Sequence, residues 1–229
     1  EVFMQQYFLH ATEVGDLTRI FLTKLEADHV KAEPLLERIF RRRPKIKDGY
    51  VVVNNRIGIQ DGKTFLSDKL NLLRIFEEAL RTGMLIHPDA MRTIKSNLKL
   101  IDDEMRTTPE AQRIFFDLLL KHGNPERALR RMNELGVLAA FIPEFEPIIA
   151  MMQFNMYHHY TVDEHLLRCI GVLNEIESGA NPEYGLANEA IKTIQPSHRE
   201  ALYVAMFLHE ARLAAGLSHP NIAQVFDLW

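Results

Sequence analysis

The residues best equipped for chemistry in this sequence are histidines. The run Tyr157-His158-His159-Tyr160-Thr161-Val162-Asp163-Glu164-His165 gathers three imidazoles and two carboxylates in nine residues. About forty residues later, His209-Glu210 sits within the apolar string Phe207-Leu208-His209-Glu210-Ala211. Imidazole nitrogen and carboxylate oxygen suit divalent Mn, Fe, Zn or Mg. If both stretches are helical, each brings an inward histidine, and the second adds an adjacent carboxylate. An inward imidazole needs a polar partner, and a backbone carbonyl satisfies it as a metal would. On these residues alone both readings stand.

Other chemistries lack their residues. The sequence has no Gly-x-x-x-x-Gly-Lys-Ser/Thr loop, no Gly-x-Gly-x-x-Gly and no Gly-x-Ser-x-Gly elbow. Cys169 is the single cysteine, which leaves no internal disulfide and no thiolate zinc site. It falls on an apolar helix face and reads as a buried structural thiol.

The elements that must position these groups are nearly all helices. Phe3, Tyr7, Ala11, Val14, Thr18 and Phe21 recur at helical steps over residues 3 to about 29. The basic run from 41 to 47, Arg-Arg-Arg-Pro-Lys-Ile-Lys, reads as a solvated link. Tyr50 to Val53 and Arg56 to Ile59 flank Asn54-Asn55, which predicts a two-residue hairpin turn, the only strand pair expected before residue 200. Leu66, Leu70, Leu73, Phe76 and Leu80 form one stripe closed by Gly83, and Met91, Ile94, Leu98, Ile101 and Met105 form the next after Pro88. Thr108-Pro109-Glu110 and Asn124-Pro125-Glu126 are helix starts, and Gly136 is a stop. A helix is expected from Thr161 to Ile176, then a loop from 178 to 197 with a short helix near 186–194. A last helix runs from His198 to about Ala215, with Leu202, Ala205, Met206 and His209 on its inner side.

Composition bounds the rest. The 229 residues are 47% hydrophobic and 25% charged with a net charge of −4, ordinary for a globular chain and without the basic excess of a nucleic-acid binder. No apolar run approaches the roughly 20 residues of a membrane span. The opening Glu1-Val2-Phe3 inside a helical pattern suggests a fragment boundary.

The histidine string closely resembles the entry to the HD domain of the bifunctional PII uridylyltransferase/uridylyl-removing enzymes. Separate strings agree in order: Phe3-Met4-Gln5-Gln6-Tyr7-Phe8, Leu100-Ile101-Asp102-Asp103-Glu104-Met105-Arg106-Thr107, Leu129 to Leu138, and Ile142-Pro143-Glu144-Phe145. The resemblance covers residues 1 to about 209. It implies a mainly α chain: a helical linker or neck over 1–150 with a hairpin near 50–60, then a truncated, degenerate HD domain over 151–229. In such enzymes a nucleotidyltransferase domain attaches UMP to a tyrosine of the PII signal protein, and the HD domain hydrolyses it off. The resemblance places metal ligands at His165 and His209, and His158 near the site; His159 falls at a variable, surface position.

This sequence departs from the family at its name-giving Asp, where Glu210 stands. The family's transferase motif is not found, and its final metal Asp is expected beyond Trp229. Glu210 could serve as a ligand in that Asp's place, and His219 falls at a family spacing from His209. The tail from Glu210 to Leu228, with His219-Pro220-Asn221-Ile222, also resembles the helix-C stretch of Ser/Thr protein kinases, so a junction near 210 is one reading. The implied cofactor is a divalent metal, Mg or Mn with Fe and Zn as alternatives. The implied partner is PII, with no nucleic acid and no membrane, in the cytoplasm. An unfilled apolar face over 198–215 would favour a homo-oligomer. A non-catalytic helical connector and a tRNA nucleotidyltransferase-like neck are the competing readings.

Overall fold

The computed structural model describes residues 2–29, 45–151, 160–195 and 198–206. Helix α1 (Val2–His29) leads to a hairpin of β1 (Tyr50–Val53) and β2 (Arg56–Ile59). Then come α2 (Gly62–Ser67), α3 (Asn71–Thr82), β3 (Leu85–Ile86), α4 (Pro88–Lys95), α5 (Asp103–Thr107), α6 (Pro109–Leu120), α7 (Pro125–Glu134) and α8 (Val137–Phe141). Two short 3-10 turns, Leu98–Leu100 and Pro143–Ile148, join them. After residue 160 follow α9 (Val162–Ser178), α10 (Gly185–Lys192) and α11 over 198–206. The architecture is mainly α with one small sheet, as expected.

The start signals work as the sequence predicts. Thr108 Oγ1 accepts the Ala111 N–H at 3.3 Å and Asn124 Oδ1 accepts the Arg127 N–H at 3.1 Å, each satisfying a donor that the helix itself leaves open. Asn54 and Asn55 both take positive φ, +49° and +59°, the geometry a tight hairpin turn needs. Gly83 and Gly136 end their helices in the left-handed region, at φ +71° and +77°.

Three features differ from the sequence expectation. The stripe from Leu66 to Leu80 is two helices, not one. Asp68 breaks it, its carboxylate accepting the Leu70 N–H at 3.0 Å and pairing with Arg74. The stripe from Met91 to Met105 is likewise cut, and Asp102 restarts it as α5 by capping Met105 N at 2.8 Å. In both places a short acidic side chain offers the backbone a better partner than another helical turn would. The sheet also has a third strand. β3 pairs with β2 in parallel, Arg56 opposite Leu85 and Ile57 opposite Ile86, so the order is β1-β2-β3. Two residues are too few to show an alternating pattern.

One continuous core runs from Tyr50 and Ile57 through Leu72, Phe76, Ile94, Ile114, Leu129, Met132, Phe145, Leu167 and Ile170 to Tyr203. The chain just before the hairpin is pinned to that core through Glu78 of α3, which is fully buried. Its carboxylate accepts the Lys47 N–H at 3.0 Å and binds Arg81 through Nε at 2.9 Å. Burial alone would push the Glu78 carboxyl up, but the Arg81 and Lys47 bonds outweigh it and hold it below the usual glutamate range. A depressed folded-state pKa stabilises the fold above the unfolded value and loses that contribution as pH falls through the folded one. Glu78→Ala should therefore cost about 1–3 kcal/mol at neutral pH, since it takes the acceptor from the part-buried Lys47 N–H and the counter-charge from Arg81. Glu78→Gln should flatten the acid side of the stability profile, read by urea titration across pH.

Candidate functional site

His165 lies in the second turn of α9, in the longest helix after residue 160. Thr161 sits at the N-cap position, and its carbonyl accepts the His165 N–H at 2.8 Å. The entry to the helix is fixed one residue further on, where Val162 N donates to Met151 O at 2.8 Å. Leu166, Leu167, Ile170 and Leu173 turn inward and are buried, which leaves the His165 side chain on the exposed face, not inward as the sequence pattern predicts. Its Nε2 is 3.5 Å from Cys169 Sγ, one turn along. Cys169 is half-buried rather than the fully buried thiol its helix phase predicts.

Of the residues singled out as ligands, His165 is the one within the described structure. His158, His159, His209, Glu210 and His219, together with the kinase-like tail, lie outside the described residues. Among the described residues no group of three or more His, Cys, Asp or Glu is arranged to hold a metal ion. Imidazole is a suitable ligand type for a divalent metal, and His165 is the exposed imidazole that α9 contributes.

The group that holds α9 in place is Asp163, which sequence reasoning counted only as one acid in the cluster. It is 4% exposed. Oδ2 accepts from Asn133 Nδ2 of α7 at 2.9 Å, and Oδ1 accepts the Ala150 N–H at 3.2 Å. Ala150 is itself at φ +53°, a left-handed conformation that costs a non-glycine residue energy and needs support. Asp163 also sits in the first turn of α9, where the helix dipole favours a negative charge. Its helical phase with Leu166, Leu167 and Ile170 was the available signal that it faces inward.

From Asp163 the contacts continue down an antiparallel pair, α7 against α9. Glu164 pairs with Arg130, and Arg130 bonds Glu126 at 2.8 Å. Arg168 reaches Glu126 at 3.4 Å and Glu175 at 3.0 Å. Asn174 Oδ1 accepts the Asn124 N–H at 3.2 Å. Between these rungs Gly171 lets the helices touch: a Cβ there would stand 1.9 Å from Glu126 Oε2. Half-exposed ion pairs of this kind contribute roughly 0–1 kcal/mol each, so the buried Asp163 bonds and the apolar faces carry the seam.

α11 closes on the other end of α9. Tyr203 is fully buried, and its OH donates to Glu177 Oε2 at 2.8 Å; Arg199 pairs with the same carboxylate. Burial and the Glu177 bond push the phenol above its usual range. The inner face of α11 is therefore Leu202, Tyr203 and Met206, while Ala205, expected inside, is exposed. A tyrosine takes the inner position because Glu177 satisfies its polar tip.

Asp163→Ala removes two buried acceptors and should cost about 2–4 kcal/mol in denaturant titration. Asp163→Asn should cost about 1 kcal/mol or less, because Asn133 can turn its amide and offer Oδ1, which has no partner in the present arrangement.

Residues 50–141 match the family model described as the uridylyltransferase GlnD third domain. The bifunctional uridylyltransferase/uridylyl-removing enzyme of Ruegeria pomeroyi is 68% identical over 92% of this chain, and that of Cereibacter sphaeroides 62% identical over 92%. The corresponding enzyme of Rhodopseudomonas palustris is 49% identical over the same share. The chain spans 23% and 22% of the length of the first two relatives. No solved structure matches it. With its third-domain match and this identity along nearly its whole length, the chain belongs to the bifunctional uridylyltransferase/uridylyl-removing enzyme family.

Proposed function

We propose that this chain carries the entry to the hydrolase half of a uridylyl cycle. It comprises the third domain, which serves as a platform, and helix α9, which presents His165 as a metal ligand. Its substrate would be a UMP-tyrosine phosphodiester on the PII signal protein. The observation that carries the reading is the presentation of His165. The side chain is solvent-facing on a helix whose register is fixed by a buried carboxylate, so the imidazole is held in place without being consumed by the core. His209 and Glu210 are the further ligands this reading assigns, with His158 and His219 lining the site. A divalent ion, Mg or Mn with Fe and Zn as alternatives, would lower the pKa of water and neutralise charge on the phosphoryl oxygens when bound.

The protein's share of the work is then positional. Hydrolysis forms one phosphorus–oxygen bond from water and breaks the bond to the tyrosyl oxygen, which leaves with a proton as the phenol. His165 contributes by keeping its nitrogen at a fixed height above α9, and Asp163 contributes by keeping α9 against α7. The transferase activity in the relatives' name would belong to the greater part of their length that this chain does not span. A cytoplasmic setting fits this reading; no helix among the described residues is long and apolar enough to cross a membrane.

A second reading has one observation in its favour. The α7–α9 seam makes third domain and α9 a continuous helical body, which is what a connector between catalytic domains requires. Metal content separates the two. After equilibration with Mn, Fe, Zn and Mg, elemental analysis should find about one tightly held ion per chain. That ion should be lost in His165→Ala and in His209→Ala, and the loaded protein should release UMP from a UMP-tyrosine ester. A metal-free chain whose behaviour is unchanged by His165→Ala would leave the connector as the function.

A further inference from the structure

Helix α1 exposes an apolar seam with the spacing of a coiled coil. Phe3, Tyr7, His10, Val14, Leu17 and Phe21 follow one another at alternating steps of four and three residues, the alternation that keeps a seam facing a partner helix. None is covered: Phe3 is 76% exposed, Tyr7 56%, Val14 63%, Leu17 67% and Phe21 63%. The helix meets the body on a different side, where Gln5 Nε2 donates to Ile149 O at 3.1 Å and Met4, Gln5 and Phe8 are half-buried. The seam runs about 27 Å along the helix. Its exposed surface amounts to about 600 Å², so a symmetric pair would bury about 1,200 Å², the lower bound for a specific interface.

We propose that α1 pairs with α1 of a second copy of this chain, antiparallel, about a two-fold axis beside residue 12. In that register Phe3 faces Phe21 of the other copy, Tyr7 faces Leu17, and His10 faces Val14. The layers then join Phe to Phe, Leu to Tyr and Val to His, and the same patch serves both chains, as an isologous dimer requires. A parallel pair would stack His10 on His10 in one layer. It would also bring both bodies to the same end, because Gln5 fixes the start of α1 to its own body. The flanks favour a like partner over a foreign one. From residue 4 to residue 20 they are Met4, Gln6, Ala11, Glu13, Thr18 and Ile20, with a single charge. Such flanks offer no charge pattern with which to select a different helix.

Sedimentation equilibrium of the whole chain tests the pairing. At tens of micromolar the chain should be a dimer. Leu17→Glu, which places a charge in the seam, should weaken it by roughly 100-fold while leaving the helical circular dichroism unchanged. In a Cys169→Ala background, Ala11→Cys should form an inter-chain disulfide across the axis on mild oxidation. Phe3→Cys should cross-link only when mixed with Phe21→Cys. A monomer at these concentrations, a dimer indifferent to Leu17→Glu, or Phe3→Cys cross-linking to itself would each overturn the proposal.

Discussion

The placement of α9 against the third domain turns on one buried carboxylate, set among the apolar residues of the shared core. Asp163 takes its two hydrogen bonds from elements on the far side of the chain segment between 150 and 162: an amide of α7 and a backbone N–H held in a left-handed turn. A carboxylate that is 4% exposed is expensive to bury, and it is retained here because both oxygens are used and the helix N-terminus supplies a favourable field. Moving α9 by one residue would turn Asp163 out and leave Ala150 and Asn133 unsatisfied. The register of the helix, and with it the direction of His165, follows from that penalty.

The division of labour along α9 follows the same logic. One face is apolar and joins the common core, one edge is charged and interlocks with α7, and the remaining face carries His165 to solvent. Gly171 is the point of closest approach, where the absence of a side chain lets the Glu126 carboxylate lie against α9 and bridge toward Arg130 and Arg168. The third-domain match ends at residue 141, yet the core does not: Leu129 and Met132 before it share a cluster with Leu167 and Ile170 after it.

Much of this was legible in the sequence because it is written in local chemistry. Thr108-Pro109 and Asn124-Pro125 mark helix starts through a side-chain oxygen and a missing N–H. Gly83 and Gly136 mark ends through a backbone angle other residues avoid. The breaks at Asp68 and at Asp102 were hidden, because the apolar period continues across both and only the local competition for backbone donors interrupts it. β3 was hidden by its length, and the inward turn of Tyr203 by its dependence on Glu177, a residue on another helix. Family strings singled out His165 as an expected ligand, whereas Asp163 was recognisable only by its phase among leucines. The apolar face of α1 was visible as a stripe, but a stripe does not say whether it is covered.

Joined through Asp163, α9 and the third domain form one cooperative unit. Native-state hydrogen exchange of α7 and α9 amides tests it directly. Both helices should exchange with the same opening free energy and the same denaturant dependence. An α9 that opens alone, well below the global transition, while α7 stays protected would contradict it.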